Sequence, residues 1–563
     1  MSRIKLFQKI MTKRAFPGGR LIDLINQEAN YPRRLLVFAV MSGMSNGLLL
    51  AVINHGAGSV GSFAESRSVQ IYHLALFIVI LTLFVYTKRH TLEQGAILVE
   101  EVLRKVRMRI ADKIRHTELE FIERAGYSEI YNCLSQDTAQ ISQSSTVIFA
   151  AVEASIMLSF AMLYIAWLTP EGFVLTLSAL ALGAWVFLIK REGIIRDLDM
   201  ATKHEILFFE SLNHTLAGFK EVKINRAKSR DLFSHQGIIA ADVQRYKSRA
   251  GVSAVFVMMF SEVYFYILIA TVLFVWPYFQ TAEPGLIVKL TMTILFMIGP
   301  LDLLFGSVPL FIKADLAVNN LKALESKVDA VSRGVQVGEP VDGVPLVFER
   351  LGFRDVHFEF QDSEGAAQFT VGPINLDLRA GEILFIVGGN GSGKSTLLKL
   401  LTGLYYPASG KIEVNDEILD KDIYPDFREM FSIIFTDFHL FNRQYGVKTV
   451  GENRVKALIK KLGLAGKTKF RDGSFTNTNL STGQRKRLAY ISAILEDKQI
   501  YVFDELAADQ DPEFRREFYE VLLPELRGQG KTIVAVTHDD KYFSAADRVL
   551  RMDEGQFAEL TPK

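Results

Sequence analysis

The chain has very little cysteine and no surplus of charge. Cys133 is its only thiol, so no disulfide can form within the chain and a cysteine-based metal site has no basis. Against 64 Lys and Arg stand 63 Asp and Glu, a formal net charge of +1. That balance gives nothing for a nucleic-acid backbone to hold, and no nucleic-acid partner is expected. The N-terminus is basic (Arg3, Lys5, Lys9, Lys13, Arg14, Arg20), but no short apolar stretch with a small-residue cleavage site follows it, so no removable signal peptide is expected. What the chain does have is apolar bulk. Over 563 residues it is 49% hydrophobic with a mean hydropathy of +0.18. It is too long for one ordinary domain, too apolar for a soluble enzyme and too polar to lie wholly in a membrane.

The apolar residues concentrate in six runs near spanning length, about 20 residues. They lie near Leu35–Asn54, Ile71–Tyr86, Thr146–Leu168, Phe173–Leu188, Val252–Phe279 and Leu286–Ile312. Basic residues orient them. Arg33 and Arg34 precede the first run, Lys88 and Arg89 follow the second, Lys190 and Arg191 the fourth, and Lys313 the sixth. The other three connections hold only Arg67 between them. Both termini are therefore expected on the cytoplasmic side, with minimal outer loops. The two inner connections, Lys88–Ser145 and Lys190–Ala250, contain no proline and are rich in charge. Neither could bury a core of its own, so they read as helices running beyond the bilayer.

Glu153, Glu262 and Asp302 interrupt apolar runs. Counted from the outer end of each run at ~1.5 Å per residue, all three fall at roughly 22–26 Å depth. Carboxylates at that depth either line a pathway, in which case the cargo carries positive charge, or sit where the helices are already leaving the bilayer.

After Ser326 the pattern changes. Residues 326–345 read as a linker between a membrane domain, 1–325, and a soluble domain, 346–563, whose strands alternate with helical segments in an α/β order. Gly388-Gly389-Asn390-Gly391-Ser392-Gly393-Lys394-Ser395 follows the apolar run Ile383–Val387 and precedes a helical run opening at Thr396. This is the context a phosphate-binding loop needs. Backbone N–H groups wrap the phosphates, Lys394 neutralises them, and the Ser395 hydroxyl ligates Mg²⁺. Ile500–Phe503 is a buried strand that ends in Asp504, a second Mg²⁺ ligand, and Glu505, a candidate general base for an attacking water.

Between these two motifs stands Leu480-Ser481-Thr482-Gly483-Gln484. That order resembles the ATP-binding cassette (ABC) superfamily. The layout of six runs with long inner connections resembles its exporter-type membrane domain. The resemblance implies a six-helix transmembrane domain of the exporter-type ABC fold joined to an α/β P-loop nucleotide-binding domain, with ATP and Mg²⁺ as cofactors. It assigns the turns at Phe121–Glu129 and Leu212–Lys223 to coupling segments that meet the cassettes. It makes His538 the switch histidine, Asp511 part of the loop that touches a partner subunit, and Phe360 the aromatic against adenine, with a core phenylalanine as the competing reading. Leu480 to Gln484 would cap ATP held by another cassette, so a second copy of the chain is implied. With Glu505, His538 and Ser481 all present, a homodimer is favoured over a heterodimer with one dead site. One position departs from the superfamily. Thr436, in Ile433-Ile434-Phe435-Thr436-Asp437, stands where a glutamine normally contacts Mg²⁺.

Residues 388–409, 435–441, 480–488 and 503–515 narrow the resemblance to the cyclic-peptide and siderophore exporters of Gram-negative bacteria, the group of the syringomycin-secretion, pyoverdine-export and microcin-export transporters. In that group Thr436 is ordinary, whereas Leu506 replaces an expected tryptophan. The reading is then an ATP-driven exporter of a peptide, cyclic peptide or siderophore precursor, multi-pass in the bacterial inner membrane among its lipids, with the cassette cytoplasmic. A lipid flippase or multidrug exporter would use the same engine. A non-pumping ATP-binding regulatory protein is disfavoured by the intact Glu505.

Overall fold

In the computed structural model, which describes residues 19–28, 33–59, 67–279, 284–332, 347–361, 367–420, 423–447 and 451–558, the apolar runs become helices that continue well past a bilayer. Among the described residues, six helices are long and apolar enough to cross a membrane. The spans belong to Arg33–Ser59, Arg67–Arg115, Thr138–Leu168, Pro170–Ala217, Arg226–Ala270 and Pro284–Ser332. The second contains 49 residues, about 70 Å of helix against ~30 Å of hydrocarbon. The turn between the third and fourth spans is built by Thr169. Its hydroxyl accepts the Gly172 N–H at 3.2 Å, and Pro170 opens the helix that follows.

The chain divides into two compact units. One comprises residues 1–112 and 127–326, the other residues 113–126 and 327–563. The short stretch 113–126 thus groups with residues 327–563, although the sequence places it between two spans. Most of the expected linker, residues 333–345, lies outside the described residues. Within the first unit, small residues let helices approach closely. A Cβ added at Gly43 would lie 2.5 Å from Ile156 Cγ2, so the first and third spans meet at a glycine.

The second unit contains twelve strands among its described residues: β1 (Arg350–Gln361), β2 (Ala367–Arg379), β3 (Ile383–Gly388), β4 (Ser409–Val414), β5 (Glu417–Ile418), β6 (Phe431–Ile434), β7 (Phe470–Arg471), β8 (Ser474–Phe475), β9 (Ile500–Asp504), β10 (Thr532–Val536), β11 (Arg548–Asp553) and β12 (Gln556–Ala558). A mixed sheet runs β12-β11-β3-β10-β9-β6, parallel except for β12 at its edge. Every residue of β9 and β10 is buried, as the unbroken apolar runs of parallel strands require. A second, antiparallel sheet, β2-β1-β4-β5, packs with the phosphate-loop helix Lys394–Leu401 in a shared core.

Leu506, the departure from the exporter group's tryptophan, is 1% exposed in the core around Phe503, Phe514 and Tyr519. The space is already filled by leucine. Leu506→Trp is expected to cost about 1–3 kcal/mol through overpacking, read as a lower thermal midpoint of the purified full-length protein. An unchanged midpoint would show that the core has slack there.

Candidate functional site

Because β3, β6, β9 and β10 run parallel, their C-terminal ends open on the same edge of the sheet, the edge where α/β folds bind ligands. Each of these ends carries one part of the site read from the sequence. The phosphate loop follows β3, Thr436 follows β6, Asp504 and Glu505 end β9, and His538 follows β10.

The phosphate loop has the shape its glycines permit. A Cβ at Gly388 would meet the Met552 carbonyl oxygen at 2.2 Å, so only glycine lets the loop turn so close to β11. Gly393 caps the following helix at φ +97°, a left-handed conformation. Gly389, Asn390 and Gly391 form the crown of the loop, and a cavity of about 480 Å³ opens beside them. Lys394 folds back and donates to the Gly388 and Gly389 carbonyls at 2.9 and 2.8 Å. The Ser392 hydroxyl is buried in the loop without a hydrogen-bond partner among the described residues. An ammonium with only its own loop to hold, and an orphaned hydroxyl beside it, suit an arriving phosphate. Thr396 lies in the first turn of the helix.

Ser395 Oγ donates to Asp504 Oδ2 at 3.4 Å, and Thr436 Oγ1 donates to the Asp504 carbonyl oxygen at 3.4 Å. Burial raises the Asp504 carboxyl above the usual carboxylate range, and the Thr436 and Ser395 hydrogen bonds offset part of that. A hydroxyl and a buried carboxylate are hard oxygen donors, which is the set Mg²⁺ takes when phosphates complete its shell. Glu505 has φ +52°, rare for a residue with a side chain. Its Oε1 lies 3.0 Å from His538 Nε2. A carboxylate only accepts, so His538 carries its proton on Nε2 in this pair. Phe360, at the end of β1, is 36% exposed and sits edge-on to Phe358 and Tyr405. Phe358 is the core residue of the pair, while Phe360 keeps a face in solvent.

The signature segment is placed by helix capping. Ser481 caps the helix Thr482–Leu495 in a capping box with Gln484, and both Ser481 and Thr482 are exposed. Leu480 packs partly buried against the core, and the Gly483 carbonyl accepts from Gln510 at 3.0 Å. Asp511 caps the helix Pro512–Glu517, accepting the Phe514 N–H at 2.8 Å, and pairs with Arg487. Its carboxylate is thus engaged within its own chain.

The three intramembrane carboxylates do not form one set. Glu153 is buried, accepts from Ser42 Oγ at 3.1 Å and pairs with Lys88 at 3.5 Å. It has its counter-charge inside the bundle. Glu262 and Asp302 are half-buried and close enough to feel each other's charge, with no cation on either among the described residues.

Several functional contacts were not legible in the sequence. In the second unit, Glu123 on the helix Leu119–Ala125 accepts from Lys399 Nζ at 2.8 Å and from Tyr405 Oη at 2.5 Å. Glu118 accepts from Tyr406 Oη at 2.8 Å and from Arg428 at 3.1 Å. Burial, then the bond to Glu118, pushes the Tyr406 phenol up to about 12. Lys399 lies on the phosphate-loop helix and Tyr405 stacks on the core residue Phe358 at 4.6 Å, so this acidic turn is tied both to that helix and to the core beneath Phe360. The other overlooked residue is Lys486. Its ammonium is buried against the Glu505 and Ala508 carbonyls at 2.9 and 3.0 Å. The run Arg485-Lys486-Arg487 reads as surface charge. Helical spacing to Tyr490 and Ala493 on the buried face is the signal that could have placed Lys486 inside.

Residues 371–508 match the protein-family model described as ABC transporter. The ATP-binding protein SyrD of Pseudomonas syringae pv. syringae is 32% identical over 468 residues, covering 81% of this chain and 82% of SyrD. The probable syringafactin export ATP-binding/permease protein SyfD of P. syringae pv. syringae (strain B728a) is 32% identical over 200 residues, covering 32% of this chain and 30% of SyfD. The solved structure of a bacterial Atm1-family ABC exporter with ATP bound superposes with a TM-score of 0.75 at 18% identity, covering 94% of this chain and 95% of that one.

Proposed function

Since this chain belongs to the ABC exporter family, as a half-transporter with membrane domain and ATP-binding cassette fused, we propose that it exports a cationic peptide, cyclic peptide or siderophore precursor across the bacterial inner membrane. The ATPase engine is common to the family; the cargo, the pairing and the residue roles are the proposal. The observation that carries the engine is the convergence of phosphate loop, Asp504, Glu505 and His538 on one sheet edge. Lys394 and the loop amides bind the phosphates, Ser395 and Asp504 hold Mg²⁺, and Glu505 takes the proton of the attacking water. Phe360 offers a ring face to adenine.

Two copies are proposed to pair head to tail, each supplying Ser481 to the other's ATP. Pairing is supported by the turn between the fourth and fifth spans, where Leu216, Phe219 and Ile224 stand exposed on a short helix and its flanks. Such apolar side chains need a cover, and the cassette of the second copy is the cover proposed. ATP favours the closed pair and so shifts the bundles outward, and hydrolysis resets them. The cassettes and both termini are proposed to lie on the cytoplasmic side.

The sequence resemblance to the cyclic-peptide and siderophore exporter group is the ground for the peptide class, and the Glu262–Asp302 pair, with no cation on either among the described residues, supports positive charge on the cargo. The test is ATP-dependent uptake of a cationic lipopeptide into inverted membrane vesicles containing the protein. Translocation of a labelled phospholipid without peptide uptake would favour a flippase instead. In the double variant Glu262→Gln, Asp302→Asn, the increment of ATP turnover that peptide adds is expected to disappear. Unaltered transport by that variant would remove both carboxylates from the cargo path.

A further inference from the structure

Glu505 is held in a conformation it would not choose. A left-handed φ of +52° on a residue with a side chain is strained, and it persists only where the surroundings impose it. The Glu505 N–H donates to the Val536 carbonyl at 3.2 Å, and the Ala508 N–H donates to the Glu505 carbonyl at 3.1 Å. These bonds close the turn from both sides. The remaining constraint comes from 19 residues upstream. Lys486 Nζ, with its side chain only 5% exposed, reaches the Glu505 carbonyl at 2.9 Å, the Ala508 carbonyl at 3.0 Å and Asp509 Oδ2 at 3.4 Å. An ammonium has three donors, and these three acceptors use them all. The Asp509 carboxylate is long-ranged and 70% exposed, so a buried positive charge is neutralised chiefly by two carbonyl dipoles of the turn that follows β9. Burying a lysine is costly unless each donor is used. The turn is therefore built around this ammonium.

The position of Lys486 gives the contact its consequence. It lies on the helix that Ser481 caps, so one rigid element carries the signature at its tip and grips the general base about 7.5 Å farther along its axis. Gln510 ties the same helix to the same loop a second time, donating to the Gly483 carbonyl at 3.0 Å while its side-chain oxygen accepts from Arg487 at 3.1 Å.

We infer that Lys486 is a positioning residue for hydrolysis. It fixes the turn that aims Glu505 at its own ATP, and it makes that aim depend on whether Ser481 is engaged on the partner's ATP. This inference rests on the head-to-tail pairing proposed above. Closure on one nucleotide shifts the signature helix, and through Lys486 the shift reaches the base of the other site. Turnover at the two sites is then coupled without any shared ligand.

The test is steady-state ATP hydrolysis by the full-length protein in lipid, comparing wild type with Lys486→Met, Lys486→Gln and Lys486→Arg. Methionine keeps the length and apolar stem but has no donor. Lys486→Met is expected to lower kcat by about 10- to 100-fold, the size of a misaimed catalytic group, with the KM for ATP within about 2-fold of wild type because the phosphate loop is untouched. The Hill coefficient for ATP should fall from about 2 toward 1. Lys486→Arg, which keeps a charged donor, should recover part of both. Lys486→Gln, with a shorter neutral donor, should fall between the two and serves if the methionine variant does not fold. Unchanged kcat and cooperativity in a folded Lys486→Met or Lys486→Gln protein overturns the inference. So does a parallel loss of kcat, ATP affinity and thermal midpoint that Lys486→Arg fails to relieve, since that is the mark of a merely structural lysine. A wild-type protein with no ATPase activity would overturn the function proposed above, a separate result from either of these.

Discussion

Glu505→Gln is expected to lower ATP turnover by about 10²- to 10⁴-fold while leaving ATP binding intact. The two side chains have nearly the same shape, so the turn after β9 and its left-handed φ can remain. The amide oxygen can still accept from His538 Nε2, which lies 3.0 Å from Glu505 Oε1. What is lost is the ability to take a proton from water. Binding is proposed to rest on Lys394, Ser395 and the loop amides, so the loss should appear in kcat and not in KM. Phosphate release and equilibrium ATP binding, measured on the same preparation, separate the two. Turnover within a few-fold of wild type would mean that the proton goes elsewhere, and Asp437, next to Thr436, would become the first alternative.

The second large effect concerns which cassette completes which site. Ser481→Asp should abolish turnover, because a carboxylate would face the partner's γ-phosphate with like charge. Aspartate is as good a helix cap as serine, so the helix Thr482–Leu495 keeps its start. Lys394→Ala should abolish turnover from the other side, by removing the phosphate's counter-charge. Neither homodimer then has a working site. When the two variants are co-assembled, each mixed pair has one site with an intact phosphate loop and an intact signature. Random pairing would return about a quarter of wild-type activity if the two sites turned over independently, and a smaller but measurable fraction if Lys486 couples them as inferred above. If Ser481 served the ATP of its own chain, every site in every pairing would lack one part and nothing would return.

Much of the nucleotide site was legible because its parts lie in short segments whose order along the chain is diagnostic. The loop 388–395, the strand ending in Asp504 and Glu505, and the histidine after the next strand each follow a buried apolar run, and parallel pairing brings those runs into register. The six spans were legible for a similar reason. Length and hydropathy are properties of a local stretch, and membrane thickness sets the length. Thr436 stands where a glutamine is usual, and its Oγ1 donates to the Asp504 carbonyl oxygen at 3.4 Å.

Other features needed the third dimension. Depth in the membrane follows from counting residues, but azimuth around a helix does not. Glu153, Glu262 and Asp302 therefore looked equivalent until packing gave Glu153 to Lys88 and Ser42 and left the other two with no cation among the described residues. Glu118 and Glu123 looked like ordinary acids of a charged connection, yet they hold Tyr405, Tyr406, Lys399 and Arg428, residues about 280 to 310 positions away. Lys486 stood in a basic run that composition marks as solvated, and helix packing turned it inward.

By itself, then, the sequence determined the class of machine. Phosphate chemistry demands particular residues at fixed local spacings, and the bilayer demands apolar runs of fixed length, so both leave a trace that can be read one segment at a time. Only the tertiary structure decided which charges are spent inside the protein and which remain for a ligand. That depends on partners distant in sequence, and a charge satisfied by such a partner looks the same in the chain as one left free.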